Sequence, residues 1–325
     1  MKKLLLLLLL FNVISAKAQD VIFSQSFLVP ETLSSSFTGA LNHPKVGTLH
    51  RSQWTNSGVK INSNYVYYDT WFERYNSGLG VTILNHQEVN SNYNYNQLNL
   101  NYSIAFKISD DWFFRPSISA GFGIKSFGFQ NLLLEDQIDI SNNLINDSSL
   151  DPLMFQNKRT FFDFNSSILF HNEDSWIGIT LRHLNKPNIS LTDNDNIPLD
   201  VFMSIHAKYY VPIFERGYSW LSSQSKIYLL SNFMMQGVSS RLDTGVQYVF
   251  DDKFSFGIIA GTNPISKSDK KQLFSSINSF VGLKWKSYRF GYSYDFNTSK
   301  YINIGGIHEF SIGYDFNINI RGFFM

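Results

Sequence analysis

Cysteine is absent from all 325 residues. That excludes a disulfide framework, a thiolate metal site and a cysteine nucleophile in one stroke. Charge is scarce as well: Asp, Glu, Lys and Arg make up 16% of the chain, against about 25% in ordinary soluble domains. What charge there is nearly cancels, to a net +1, which leaves no electrostatic case for nucleic acid or an acidic polymer as partner. Beyond the first residues there is no continuous apolar run of the roughly 20 residues needed to cross a bilayer as a helix. In place of the missing charge the chain carries aromatics, 16% of its residues, with 30 Phe and 17 Tyr. A soluble β-sandwich or propeller would have to hide that excess in a core, and no repeat of propeller length is present.

The opening residues read as a secretory signal. Lys2 and Lys3 start it, Leu4 to Ile14 form its apolar centre, and Ala16-Lys17-Ala18 is a small-x-small cleavage site. The apolar centre is too short for a spanning helix and no Cys is available to take a lipid. The sequence therefore predicts a signal peptide over 1–18, an N-terminal segment in the periplasm over 19–44, a barrel over 45–317 and a C-terminal extension over 318–325.

The barrel expectation rests on a hydrophobic period of two that returns from about Val46 to Phe316. Leu98, Leu100, Tyr102, Ile104, Phe106 and Ile108 share one parity, while Gln97, Asn99, Asn101, Ser103, Ala105 and Lys107 share the other. Each such strand has one oily and one wet face. When two-faced segments of roughly 10 residues fill a chain, a closed barrel with lipid outside satisfies every backbone hydrogen bond. The fold class is thus all-β, a single transmembrane antiparallel β-barrel of about 14 strands. They are expected near 45–54, 58–69, 76–89, 93–108, 112–128, 158–171, 174–184, 200–213, 223–235, 237–250, 253–262, 272–286, 287–297 and 306–317.

Connection lengths support the same topology. Ser109-Asp110-Asp111, Asn172-Glu173-Asp174, Asp251-Asp252-Lys253 and Lys286-Ser287 are short and fall on one parity, that of periplasmic turns. Gln130 to Asn157, Asn185 to Leu199, Asn263 to Lys271 and Thr298 to Gly305 are long and fall on the other, although strands one to two, three to four and nine to ten are joined by short connections on that side as well. The positions expected to face inward are Lys60, Asn62, Asn64, Arg115, Lys125, Arg182, His206, Lys208, Arg241, Asp243, Lys284, Arg289, Asp295, Glu309 and Asp315. Fourteen strands enclose a lumen wide enough for water unless something fills it.

Chemical motifs are weak. The 7 His residues lie at no spacing typical of a metal site. Asp193-Asn194-Asp195-Asn196 resembles the start of a calcium loop, but Ile197 and Pro198 follow where a Gly and further ligands are needed. No spacing selects a Ser-His pair for a barrel hydrolase. Trp54, Trp71, Trp112, Trp176, Trp220 and Trp285 fall near strand ends, where an interfacial aromatic girdle belongs. No cofactor, metal or catalytic residue is implied. The longest loop mixes acids with apolar side chains, so Leu132, Leu133, Leu134, Glu135, Asp136 and Ile138 are the candidate partner-binding residues.

Several short motifs carry a family likeness. Ala18-Gln19-Asp20 followed by Phe23-Ser24-Gln25, then Ser36-Phe37-Thr38-Gly39, then Arg51-Ser52-Gln53-Trp54, and finally Gly306 to Tyr314, together resemble the PorP/SprF family of Bacteroidota outer-membrane proteins. Where that family commonly has Asn-Pro-Ala-Tyr/Phe before the first strand, this chain has Leu33-Ser34-Ser35-Ser36-Phe37. The resemblance implies a non-enzymatic outer-membrane barrel of the type IX secretion and gliding system. It implies a role in export or cell-surface attachment of a partner protein with a type B C-terminal domain, such as an adhesin. The bilayer and other type IX components would be its further partners. A diffusion porin or small-solute transporter is the alternative the inward charges allow.

Overall fold

A computed structural model describes residues 20–54, 60–128, 133, 135–139, 142, 144–146, 149, 157–192, 195–212, 225–264, 275–297 and 305–316. Fourteen long strands follow one another in chain order: β1 (Lys45–Gln53), β2 (Ile61–Phe72), β3 (Ser77–Glu88), β4 (Tyr93–Ile104), β5 (Phe113–Ser126), β6 (Lys158–His171), β7 (Trp176–Arg182), β8 (Phe202–Val211), β9 (Ser225–Gln236), β10 (Ser239–Phe250), β11 (Phe254–Thr262), β12 (Ser276–Trp285), β13 (Tyr288–Asn297) and β14 (Ile307–Asp315). Each pairs antiparallel with the next, and β14 pairs with β1, so the sheet closes without an edge. A short strand, Phe106–Lys107, extends β4 in the same register against Phe114 and Phe113. The interruption lies where β5 presents Pro116, which has no N–H to give to the ladder. On its other side Ala105 N–H donates to the Asn76 carbonyl and continues the ladder with β3.

Alternation sets the two faces. Leu98, Leu100 and Tyr102 on β4, Ile118 and Phe122 on β5, and Phe254, Phe256 and Ile258 on β11 are exposed on the outside. Arg115, Asp163, His206, Gln247 and Glu309 on the other parity are buried inside. From Leu98 to Phe106 a strand rising about 3.3 Å per residue at a tilt of about 40° climbs roughly 20 Å. That matches an apolar band about 25 Å tall.

The lumen is not empty. The segment 19–44, expected in the periplasm, runs through the barrel from Asp20 to Pro44 instead. Phe23, Phe27, Leu28, Val29, Leu33, Phe37, Ala40 and Leu41 are buried there against Leu49, Tyr65, Tyr67, Leu169, Trp176, Tyr228 and Phe280 of the wall. Two 3-10 turns shape it, Pro30–Thr32 and Ser35–Phe37, the second capped by the Ser34 hydroxyl, which accepts from Ser36 N–H. Burial of these apolar side chains is the favourable term that seats the plug.

This filling also overturns three inward assignments. On β2 it is Ser63, Tyr65, Tyr67 and Asp69 that are buried inside, while Asn62 and Asn64 face out and Lys60 is exposed before the strand. A plugged lumen accepts tyrosine on its wall, so apolarity no longer marks the lipid side. For the same reason Trp71 and Trp176 leave the expected girdle. Trp176 stacks on Phe27 and meets the edge of Phe37, and Trp71 lies under the Arg115 guanidinium. Trp112 and Trp285 are exposed at the periplasmic ends, and Trp220 lies outside the described residues.

Candidate functional site

The plug is tied to the wall at three heights. At the outer end, Asp20 meets the ends of β7 and β9. Its carboxylate lies 2.8 Å from His183 Nε2 and 3.6 Å from Arg182, and its N–H donates to Gln236 Oε1 at 2.8 Å. His183 Nδ1 lies 2.9 Å from Asp163 Oδ1, so the ring stands between two carboxylates. Burial disfavours the charged ring, yet Asp20 and Asp163 outweigh it and raise its pKa to about 9. Burial likewise opposes charge on Asp20, but His183 and Arg182 hold its carboxyl far below the usual carboxylate range. Near the same end, Ser24 and Gln25 donate their backbone N–H groups to Glu309, each at 2.9 Å. Arg51 pairs with Glu309 and approaches Asp295.

At mid-height four hydroxyls form a knot. Ser35 and Ser36 of the plug lie 2.7–3.2 Å from Ser117 of β5 and Ser167 of β6, which are 2.6 Å apart. Ser35 and Ser36 belong to the stretch that replaces the Asn-Pro-Ala motif named above. At the periplasmic end, Gly39 N–H donates to Asp69 at 2.8 Å, and the Thr38 carbonyl accepts from Ser103 and Arg115. Lys45 pairs with Glu31 and Asp69, and Arg289 pairs with Asp315 at 2.9 Å.

Between plug and wall remains a cavity of about 70 Å³, lined among others by Glu31, Thr82, Asn99, Asn101, Thr180 and Arg182. It has room for a handful of waters, not for a permeating solute. Plug and wall thus brace each other across the lumen.

The candidate partner-binding residues lie elsewhere, on the outer loop after β5. Glu135–Gln137 makes a 3-10 turn and Ile138–Asp139 pairs with Leu144–Ile145 as a short hairpin. Leu133, Ile138, Leu144 and Ile145 are all exposed, as are Glu135 and Asp136, the latter accepting from the Ser149 hydroxyl at 2.7 Å. Leu132 and Leu134 lie outside the described residues. So do Asp193 and Asn194 of the calcium-loop likeness. Asp195 accepts from Thr192, and among the described residues no three metal-ligating side chains converge. Ser63 and His86 are hydrogen bonded at 2.8 Å, a pair that sequence spacing did not single out. Ser63 is buried and faces the lumen, away from any lipid substrate outside the barrel.

A closed antiparallel barrel with short periplasmic turns is the architecture of outer-membrane proteins, and the sequence assigns this one further. A family model described as type IX secretion system membrane protein PorP/SprF matches residues 15–314. The chain belongs to the PorP/SprF family. This PorP/SprF protein is accordingly an outer-membrane barrel of the type IX secretion system, and family and fold point to secretion or transport and not to an enzyme. No curated protein sequence matches it. Among solved structures it is similar to the CymD monoaromatic hydrocarbon channel, with 11% identity over 91% of this chain and 94% of that one, at a TM-score of 0.48. The toluene transporter TbuX of Ralstonia pickettii gives 9% identity over 90% and 92%, at 0.45, and the KdgM porin 9% over 84% and 99%, at 0.36. At that distance they say nothing of what the PorP/SprF barrel handles.

Proposed function

We propose that this barrel is a non-enzymatic anchor that the type IX system uses to export a secreted partner or hold it on the cell surface. The partner expected is a protein with a type B C-terminal domain, such as a gliding adhesin. Other type IX components would meet the barrel in the same membrane, and cleavage after Ala18 would release it from its leader. The occupied lumen carries the reading, because a barrel sealed by its own chain has no use as a diffusion porin. Family membership supplies the system, and the seal favours attachment over transport. Client capture falls to the outer loop, through Leu132, Leu133, Leu134, Glu135, Asp136 and Ile138, because long loops on a rigid scaffold are where binding resides. Apolar side chains displayed together in solvent are a liability without a partner.

Replacing residues 130–157 by a Gly-Ser turn tests this. The barrel should keep its heat-modifiable migration on a gel while the client appears in the medium. Unchanged surface retention of the client would remove the loop from the account, and steady ion conductance of the intact protein would favour the porin.

A further inference from the structure

The outward face of β1, like the part of β2 beside it, departs from the apolar pattern. It turns Val46, Thr48, His50 and Ser52 away from the lumen, three of the four polar. These are not positions above the membrane. His50 stands roughly 13 Å beyond Lys45 along the barrel axis, for a strand tilted about 40°, well within an apolar band about 25 Å tall. Its cross-strand neighbour on β14 is Phe310, and that of Thr48 is Ile312, both exposed as lipid-facing residues are.

On the other side the polarity continues. His50 Nδ1 donates to Asn64 Oδ1 at 2.7 Å, Asn64 Nδ2 to Asn85 Oδ1 at 3.3 Å, and Asn85 Nδ2 to Asn96 Oδ1 at 2.8 Å. The row runs across β1 to β4, from lipid depth to the outer rim. The tautomer that donates through Nδ1 offers Nε2 as an acceptor, and acyl chains have nothing to give it. Polar groups turned to hydrocarbon are costly, and the residues paired with Thr48 on either side, Val66 and Ile312, are apolar. The row contains no Lys or Arg, so it is not built for lipid phosphate.

We propose that Thr48, His50 and Asn64 form a lateral contact for a second, different membrane-embedded protein, one that presents hydrogen-bond donors at this depth. The contact lies beside the seam where β14 closes on β1. It requires only that the barrel is embedded in the membrane, and holds whichever client is carried.

A photoreactive side chain placed at Thr48, and another at Ile258 on a distant strand, test it in native cells. The account predicts one discrete protein adduct from Thr48 and none from Ile258. The adduct should vanish when His50→Leu and Asn64→Leu are combined in the same chain. The purified double variant should resist higher urea than the wild type, because removing polarity from a lipid face relieves a cost. An adduct of the barrel with itself, an adduct with lipopolysaccharide, equal labelling from both positions or a less stable double variant would each overturn the proposal.

Discussion

At Gly39 the plug backbone packs directly on the wall backbone. The glycine's φ is +68° and a Cβ there would stand 2.7 Å from Gly78 Cα, so a side chain adds backbone strain to a collision with backbone. Gly39→Val should cost about 2–4 kcal/mol, read as a lower urea midpoint in lipid vesicles, and an unchanged midpoint would mean the plug is not seated as described. His183 supplies a second test at this scale. Its folded pKa, about 9, lies above the ordinary value near 6.5. Its contribution is therefore complete below about pH 6.5 and lost as pH rises through about 9. The stability gap between wild type and His183→Gln should shrink across that interval, and a gap that is flat from pH 6 to pH 10 would deny the clamp on Asp20. None of this was legible from sequence. His183 lies 163 positions from Asp20, and Ser35, Ser36, Ser117 and Ser167 come from three separate stretches with no spacing to link them.

At the scale of single strands, period-two alternation was a sound guide wherever the inner face is small or charged. β4, β5 and β13 carry the predicted faces residue for residue. It misled on β2 because Tyr65 and Tyr67 pack on the plug, with Tyr65 also donating its hydroxyl to the Glu31 carbonyl at 2.9 Å. The same filling changes what a charge does on each face. Leu100→Arg should destabilise by about 2–4 kcal/mol at the lipid side. In an open lumen Asn101→Arg would be nearly free, but Asn101 is buried beside the plug, so overpacking should cost about 1–3 kcal/mol. Urea unfolding of the two variants checks both, and a silent Asn101→Arg would show that the inner face is open.

For the molecule as a whole, the number of strands, their order and the parity of the turns could be read from the chain, because each follows from local pattern. The plug could not. Residues 20–44 mix apolar and small polar side chains without a period, and their partners lie on strands from β1 to β14. The fold thus places the start of the described chain at the outer mouth and brings it down the lumen to enter β1 at the periplasmic end. Sealing is the central consequence, and single-channel recording in planar bilayers tests it most directly. The intact barrel should show no steady conductance, while a variant lacking residues 20–40 that still migrates as a folded barrel should conduct. Steady conductance of the intact protein, matching that of the deletion, would contradict the account.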